Sequence, residues 1–235
     1  MYFSITGFSY LFLSFALGYF NYRTFKYWQK EKTIVSKLWF FISLLAFLFA
    51  FFRAIAGLFF FDNPSILKTS IIINSIIQIL ALSVISYFNF YIKFSSRLLP
   101  WLGFCSVFIL GLISTFLIIF IPFSPFLEPS GSINWGLSSS SFIVLLTFAL
   151  KYFLFLIVFI PLIIINYQQF KNASDVFLKR RALTFIIFGV FIIVISMLDF
   201  FVISVFKTNS IWRDLAIVIA TFFLLIALFS NKEKN

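Results

Sequence analysis

The sequence contains no histidine, one cysteine and few charged residues, and each shortage excludes a class of protein. Without histidine, the chain lacks the commonest general base and the commonest metal ligand. With Cys105 alone, no disulfide can form within the chain. No pattern of paired acids or metal ligands is present either, so we expect no enzyme and no cofactor. A Ser-Lys dyad would need Lys151 beside a serine, and nothing in the sequence supports one.

Acidic residues are scarce, with 7 Asp and Glu against 18 Lys and Arg, which gives a net charge of +11. A charge of this size could indicate a nucleic-acid binder. The cations, however, lie between long apolar runs, which is the pattern of membrane topology. We therefore expect no nucleic acid among the partners. The lipid bilayer is the expected partner, because 63% of the residues are hydrophobic and several runs exceed the roughly 18 residues of a membrane span.

The apolar runs predict an all-α polytopic membrane protein, a single domain over 1–235 with seven transmembrane helices. The first run lacks a cationic start and a cleavage site, so we expect it to be retained rather than removed as a signal peptide. The predicted spans are Tyr2–Asn21, Leu38–Phe61, Ser70–Tyr91, Leu98–Pro122, Phe142–Ile165, Ala182–Phe206 and Ile211–Phe229.

The distribution of Lys and Arg predicts the orientation of the bundle. Three of these residues fall on one side, namely Lys68, Lys207 and Arg213. Cytoplasmic loops carry the excess of cations, so the N-terminus is expected outside and the C-terminus in the cytoplasm of a cell-membrane protein. Trp135 and Trp212 would then belong to an outer aromatic belt. The other side holds thirteen cations: Arg23, Lys26, Lys30, Lys32, Lys37, Lys93, Arg97, Lys171, Lys179, Arg180, Arg181, Lys232 and Lys234.

Three ionisable residues lie well inside predicted spans: Arg53, Lys151 and Asp199. By helical rise they lie about 12, 14 and 10 Å below the outer ends of their helices. Charge at such depth is costly and needs a partner or water. Asp199 is expected to be the only buried acid. It either neutralises one of the cations as a structural pair or belongs to a ligand site.

Uncharged polar residues occur at similar depth. Asn74 and Gln78 are four residues apart and so share a face of the third helix, and Ser196 lies three residues before Asp199. These residues predict an outward-facing polar cavity. The cations in it favour an anionic or carbonyl-rich ligand. The candidate ligand site therefore comprises Arg53, Asn74, Gln78, Lys151, Ser196 and Asp199.

Two further features concern packing and access. Ser14, Gly18, Gly103, Gly111 and Gly189 are small residues that let helices approach closely. The long segment 123–141 contains Pro and Gly residues at turn positions. It is interpreted either as a flexible connector or as a lid over an outer vestibule.

The chain resembles the seven-helix sensory modules at the N-terminus of many bacterial signalling proteins. The resemblance lies in the segment LKRRALTFIIFGVFIIVISMLDF and in the preceding loop NYQQFKNASDVFLKRR. It implies a membrane sensor. Those proteins continue into a transmitter domain after the last helix, so this chain is expected to be a stand-alone relative. Receptor motifs of the G-protein-coupled and rhodopsin types are missing from the third and seventh spans.

These observations favour a sensor or receptor-like membrane module that binds a small ligand in the polar cavity. The alternatives are a transporter that uses the same cavity and an accessory subunit of a membrane complex with no ligand of its own. The basic loops could contact a membrane or cytoplasmic protein partner.

Overall fold

In the computed structural model, residues 4–94, 96–121, 123–135, 142–198 and 208–230 are described, and they form helices almost throughout. Two short strands separate the fourth and fifth of the seven helices in these described ranges. The bounds are α1 Ile5–Glu31, α2 Ile34–Phe59, α3 Pro64–Lys93, α4 Leu98–Phe120, β1 Phe126–Leu127, β2 Ile133–Asn134, α5 Phe142–Asn172, α6 Val176–Met197 and α7 Ile211–Ser230.

The first three helices begin at hydrogen-bonding caps. Ser4, Thr33 and Asn63 each accept a bond from a backbone N–H three residues on, which satisfies a donor that the first helical turn leaves open. Pro64 follows Asn63 as the first residue of α3, where its missing N–H costs nothing. The turn between α1 and α2 is closed by Lys32 in the left-handed conformation, with φ 50°.

Several helices extend beyond the predicted spans. The first continues ten residues past Asn21, through the polar stretch that ends at Glu31, and α3 begins at Pro64 rather than Ser70. The fifth helix runs through Pro161 as far as Asn172. These extensions are helical but polar, so the apolar runs of membrane length end before them.

Helices that follow one another along the chain alternate in direction, and the seven close into a ring. Each helix packs against the next along the chain, and α7 packs against α1. In addition, α3 contacts α5 across the bundle. Bonds between elements fix the directions: α1 and α7 are joined near their starts by Thr6 and Asp214 and near their ends by Arg23 and Leu228. Odd-numbered helices thus begin at one end of the bundle.

The strands form a small antiparallel hairpin at that end, pairing Phe126 with Asn134 and Leu127 with Ile133. We call this the hairpin end. The backbone N–H of Ile5 donates to the carbonyl of Gly131 at 2.8 Å, which ties the start of α1 to the hairpin turn. Within the described part of segment 123–141, the chain is therefore neither a loose connector nor a detached loop, because it is bonded to α1 and packed on the bundle.

Glycine allows the closest contact between helices. A Cβ on Gly57 would lie 2.8 Å from the Cα of Gly7, so α2 and α1 cross with their backbones in contact at the hairpin end. Gly111 and Gly103 similarly face Ile79 and Phe90 of α3. The prediction that Gly103 and Gly111 serve close packing agrees with these distances, whereas the Gly7–Gly57 crossing was not predicted.

Buried apolar side chains form three clusters: one among α2 to α5, one among α1, α2 and α7, and one beneath the hairpin that includes Ile133 and Trp135. Large apolar side chains also cover the outside. Phe15, Phe59 and Phe142 are 70%, 71% and 77% exposed. Apolar surface on this scale is suited to lipid rather than to water.

Five helices, α2 to α6, are long and apolar enough to cross a membrane among the described residues. Neither α1 nor α7 is in this group. The first helix is interrupted by serine, glycine and tyrosine residues, which lower its mean hydropathy. The chain is thus a helical bundle with at least five segments compatible with a membrane.

Candidate ligand site

Lys151 lies two and a half turns into α5 and points towards α3. Its ammonium donates a hydrogen bond to the hydroxyl of Ser75 at 2.8 Å. The side chain is half-buried and Ser75 is buried. A cation of the fifth helix thus joins a polar residue of the third. Ser75 was not among the predicted site residues, and the role of Lys151 in a ligand site stays a prediction.

Asn74 precedes Ser75 and is fully buried, with 0% of its surface exposed. Neither its Nδ2 nor its Oδ1 has a hydrogen-bond partner among the described residues. A buried amide with two unmet groups costs about 1–3 kcal/mol for each of them, so native proteins rarely keep one without a use. Gln78 follows one turn later on the same face and is half-buried.

Thr115 of α4 adds another unsatisfied group at this level. The contacts of α4 glycines with α3 set the register: Gly111 faces Ile79, so Thr115, one turn further along the antiparallel helix, is level with Ser75. Its hydroxyl is buried and has no partner among the described residues. We call Asn74, Ser75, Thr115 and Lys151 the polar layer. It spans three helices inside the bundle.

Arg53 of α2 lies under the hairpin. Its guanidinium carbon is 4.0 Å from the centre of the Trp135 ring and 5.8 Å from that of Phe49. A second guanidinium, that of Arg213, lies 5.3 Å from the same indole. Trp135 is only 5% exposed, whereas Trp212 is 58% exposed. The expectation that Trp135 belongs to an outer aromatic belt is therefore wrong, because the indole is buried between cations under the hairpin.

Arg213 and Asp214 open α7 as a buried ion pair, and both side chains are 0% exposed. Arg213 donates from Nε and Nη2 to Asp214 Oδ1 at 3.0 and 2.9 Å. Thr6 completes the group: its hydroxyl donates to Asp214 at 2.5 Å and accepts from Arg213 and from the Ile133 N–H. We call Thr6, Arg213 and Asp214 the clasp.

The clasp corrects the expectation that Asp199 is the only buried acid. Asp214 is buried. Its burial could not be predicted from the sequence, because adjacent Arg and Asp in a short turn are typical of an exposed connection. Their burial follows from the hairpin, whose Ile133 carbonyl accepts from Arg213 Nη2 at 3.0 Å. Ile133, which lies 80 positions from Arg213 in the chain, thus covers the ion pair.

Glu128 of the hairpin caps α7. Its carboxylate accepts from the backbone N–H and the hydroxyl of Ser210, both at 3.0 Å, and from Asn134 Nδ2 at 2.8 Å. A carboxylate at a helix N-terminus satisfies open N–H groups and complements the helix dipole. Glu128 and the clasp together fasten the hairpin to α1 and α7.

The remaining predicted residues lie elsewhere or outside the described part. Ser196 donates to the carbonyl of Ile192 in its own helix at 2.9 Å. Asp199 lies outside the described residues, so its pairing with Arg53 or Lys151 stays a prediction. The structure therefore brings Asn74 and Lys151 to one layer with Ser75. It places Arg53 under the hairpin and leaves Ser196 in a local bond.

An apolar groove of about 220 Å³ opens between α2 and α3. Its walls carry hardly any polar surface, so this groove is not the predicted polar cavity. Among the described residues, no group of three or more Cys, Asp and Glu side chains could hold a metal ion. The lining residues are Phe52, Ile55, Ala56, Phe60, Ile66, Thr69, Ser70 and Ile73.

Comparison with known proteins adds no relative to this description: no protein-family model, curated protein or solved structure matches the chain.

Proposed function

We propose that the chain is a seven-span protein of the cell membrane with its N-terminus outside. The alternating helix directions support this orientation, because they place the cation-rich turns of α1–α2, α3–α4 and α5–α6 at the end opposite the hairpin. The hairpin end then faces outwards. The basic end faces the cytoplasm, where it contacts anionic lipid or a protein partner.

In this orientation, the protein is a receptor-like sensor that binds a small ligand in the polar layer. The observation that carries the proposal is Asn74, a fully buried amide with no hydrogen-bond partner among the described residues, one position from the Ser75–Lys151 bond. A buried polar group without a partner destabilises the bundle, and a ligand that bonds to it explains its presence. The resemblance to bacterial sensory modules agrees with such a role.

A thermal-shift screen tests the proposal on the purified full chain. A chemically mixed library of small polar molecules is compared on the wild type, Asn74→Leu and Asn89→Leu. Asn89 is the matched control: it is a buried asparagine of the same helix, and its Nδ2 donates to the Val158 carbonyl at 2.8 Å. We expect compounds that stabilise the wild type and Asn89→Leu but not Asn74→Leu.

If no compound shows this dependence on Asn74, the polar layer holds water and the sensor proposal is wrong. The protein would then be an accessory subunit without a ligand. Stabilisation combined with flux of the same compound into proteoliposomes would make it a transporter.

The Ser75–Lys151 bond favours one second candidate, an intramembrane Ser-Lys hydrolase, because a 2.8 Å contact is the distance that a nucleophile and its base require. Ser75, however, lies in the interior of α3, where the backbone N–H groups are bonded within the helix and cannot form an oxyanion hole. We therefore expect no labelling by a fluorophosphonate probe. Labelling that disappears in Ser75→Ala would establish the hydrolase instead.

A further inference from the structure

The apolar groove between α2 and α3 opens at the surface of the bundle. Ala56 and Ser70 are buried and form its floor. Both helices are long and apolar enough to cross a membrane, so the groove opens towards the hydrocarbon of a bilayer. Its rims are exposed apolar side chains of the two helices, namely Phe52, Phe60, Ile66 and Ile73.

The packing of α2 explains why this space is not filled. At this end of the bundle α2 crosses α1 with its backbone in contact, at Gly57 and Gly7. The neighbouring residue Ala56 lines the groove and has a side chain too short to fill the gap towards α3. The two helices therefore leave a space between them above Ala56 and Ser70.

The two hydroxyl groups of the groove are bonded within their own helix. Thr69 donates to the carbonyl of Ser65 at 3.0 Å, and Ser70 donates to the carbonyl of Leu67 at 2.9 Å. Neither hydroxyl needs a hydrogen bond from an occupant, and the other lining side chains are apolar. The walls of the groove are therefore suited to hydrocarbon rather than to a polar molecule.

The groove has the direction and the length of a lipid chain. It begins at the turn that joins α2 to α3 and runs along both helices. On α2 it extends from Phe60 back to Phe52, eight residues apart, which is about 12 Å by helical rise. One leaflet contributes about 15 Å of hydrocarbon, half of the core of the bilayer. A single acyl chain lying parallel to the helices matches these dimensions.

An acid lies where the groove meets the membrane surface. Asp62 is exposed in the turn that joins the two walls, and it forms no ion pair with any residue that the structure describes. The cations of the same helices point elsewhere. Lys68 lies 5.0 Å from the centre of the Phe123 ring, and Arg53 lies against Trp135 under the hairpin. A lipid seated in the groove therefore meets a negative charge at the level of its headgroup.

We propose that the groove binds one acyl chain of phosphatidylethanolamine, whose primary ammonium donates to the Asp62 carboxylate at the turn. Phosphatidylcholine offers the same chains, but its quaternary ammonium has no N–H to donate. Phosphatidylglycerol is an anion, which Asp62 repels. The proposal rests on the membrane location in the proposed function. It does not depend on the ligand of the polar layer or on which way the bundle faces.

A fluorescent dye beside the groove measures which lipid occupies it. On the Cys105→Ala background, bimane is attached to Phe59→Cys, because Phe59 ends α2, is 71% exposed and shares a face with the lining residues Ile55 and Ala56. Phe120→Cys is the matched control: Phe120 ends α4 at the same end of the bundle and is 66% exposed.

The labelled full chain is placed in phosphatidylcholine nanodiscs that contain a small fraction of one lipid with brominated chains. Bromine quenches the dye on contact, so the quenching reports how often that lipid lies beside position 59 or 120. An exposed ion pair changes affinity by about two- to fivefold. We expect brominated phosphatidylethanolamine to quench Phe59→Cys about two- to fivefold more strongly than brominated phosphatidylcholine, and brominated phosphatidylglycerol to quench it least. At Phe120→Cys the three lipids should quench equally. A preference of this size leaves the lipid in exchange with the bilayer.

Two acid variants assign the preference to Asp62. Asp62→Asn should make the quenching of Phe59→Cys by phosphatidylethanolamine and phosphatidylcholine equal. Glu31→Gln is the control, since Glu31 is exposed at the opposite end of α1, and it should leave the preference unchanged. The comparison of positions 59 and 120 needs neither variant, so it remains decisive if Asp62→Asn does not fold.

Equal quenching of Phe59→Cys by all three lipids would overturn the proposal, and so would a preference that persists in Asp62→Asn or appears equally at Phe120→Cys. Quenching at position 120 alone would show that protein, such as a second copy of the chain, covers the groove. Absence of quenching at both positions would instead contradict the membrane location itself.

Discussion

Thr6 and Asp214, 208 residues apart in the chain, share a buried hydrogen bond of 2.5 Å between Oγ1 and Oδ2. The same hydroxyl accepts from the backbone N–H of Ile133 at 2.8 Å and from Arg213 Nη2 at 3.1 Å. One oxygen atom therefore links the first helix, the hairpin and the last helix. The ring of helices closes at this point, and the hairpin is positioned over the interior by the same contact.

Replacing Thr6 by valine should destabilise the bundle strongly. Valine has the same shape but leaves the Asp214 carboxylate and the Ile133 N–H buried without this partner, at a cost of about 3 kcal/mol in the free energy of unfolding. Thermal unfolding of the detergent-solubilised protein measures the loss. The control is Ser9→Ala, because the hydroxyl of Ser9 donates to the Ile5 carbonyl of its own helix. Equal stability of the two variants would show that the clasp contributes nothing.

The contact between α1 and α2 gives a second prediction. Alanine at Gly57 would place a Cβ 2.8 Å from the Cα and 3.0 Å from the N of Gly7, and backbone cannot move aside cheaply. We expect a loss of about 3 kcal/mol. Gly189→Ala is the matched control. Its Cβ would meet the side chain of Ile163 at 3.0 Å, which can shift, so the change should be about 1 kcal/mol or less. The free energy of unfolding of both variants is measured with denaturant. A larger loss for Gly189→Ala than for Gly57→Ala would contradict the close contact between α1 and α2.

The sequence predicted the presence of the helices well, but it predicted poorly where the helices begin and end. The reason is physical. Apolar runs mark where the chain meets lipid, and five of the seven predicted spans correspond to helices with the length and composition to cross a membrane. The polar extensions of α1, α3 and α5 carry no such signal. Their ends are set by local features such as the Asn63 cap and the left-handed Lys32.

The candidate site shows the same division. The position of Lys151 within α5 and the shared face of Asn74 and Gln78 follow from helical spacing, so both could be inferred from the sequence, while their part in a ligand site stays a prediction. The roles of Thr6, Trp135 and Asp214 depend on contacts between segments far apart in the chain, and helical periodicity does not contain such information. Two-residue strands are likewise too short to leave an alternating pattern.

The orientation of the bundle can be measured with single cysteines. Cys105 is exposed, so Cys105→Ala provides the background. Pro129 is exposed at the hairpin turn, and Gln29 is exposed near the opposite end of α1. A membrane-impermeant maleimide should label Pro129→Cys on intact cells, and Gln29→Cys only after permeabilisation. Labelling of Gln29→Cys on intact cells would reverse the proposed topology.

We expect the buried side chain of Asn74 to lower the free energy of unfolding of the protein. Replacing it by leucine removes two buried groups without partners among the described residues and should raise the free energy of unfolding by about 1 kcal/mol. Asn89→Leu breaks the bond from Nδ2 to the Val158 carbonyl but also removes an Oδ1 that has no partner among the described residues, so it should lower the free energy of unfolding by about 1 kcal/mol. Chemical denaturation of both variants in the same detergent makes the comparison. A large loss on Asn74→Leu would mean that the amide is structurally bonded and would contradict the account.

The most direct test of the ligand site is native mass spectrometry of the chain purified from membranes. The account predicts that the wild type and Asn89→Leu carry the same small-molecule adduct, and that Asn74→Leu and Lys151→Met are found at the mass of the bare chain. An adduct of equal abundance on all four proteins, or on none of them, would contradict a ligand site in the polar layer.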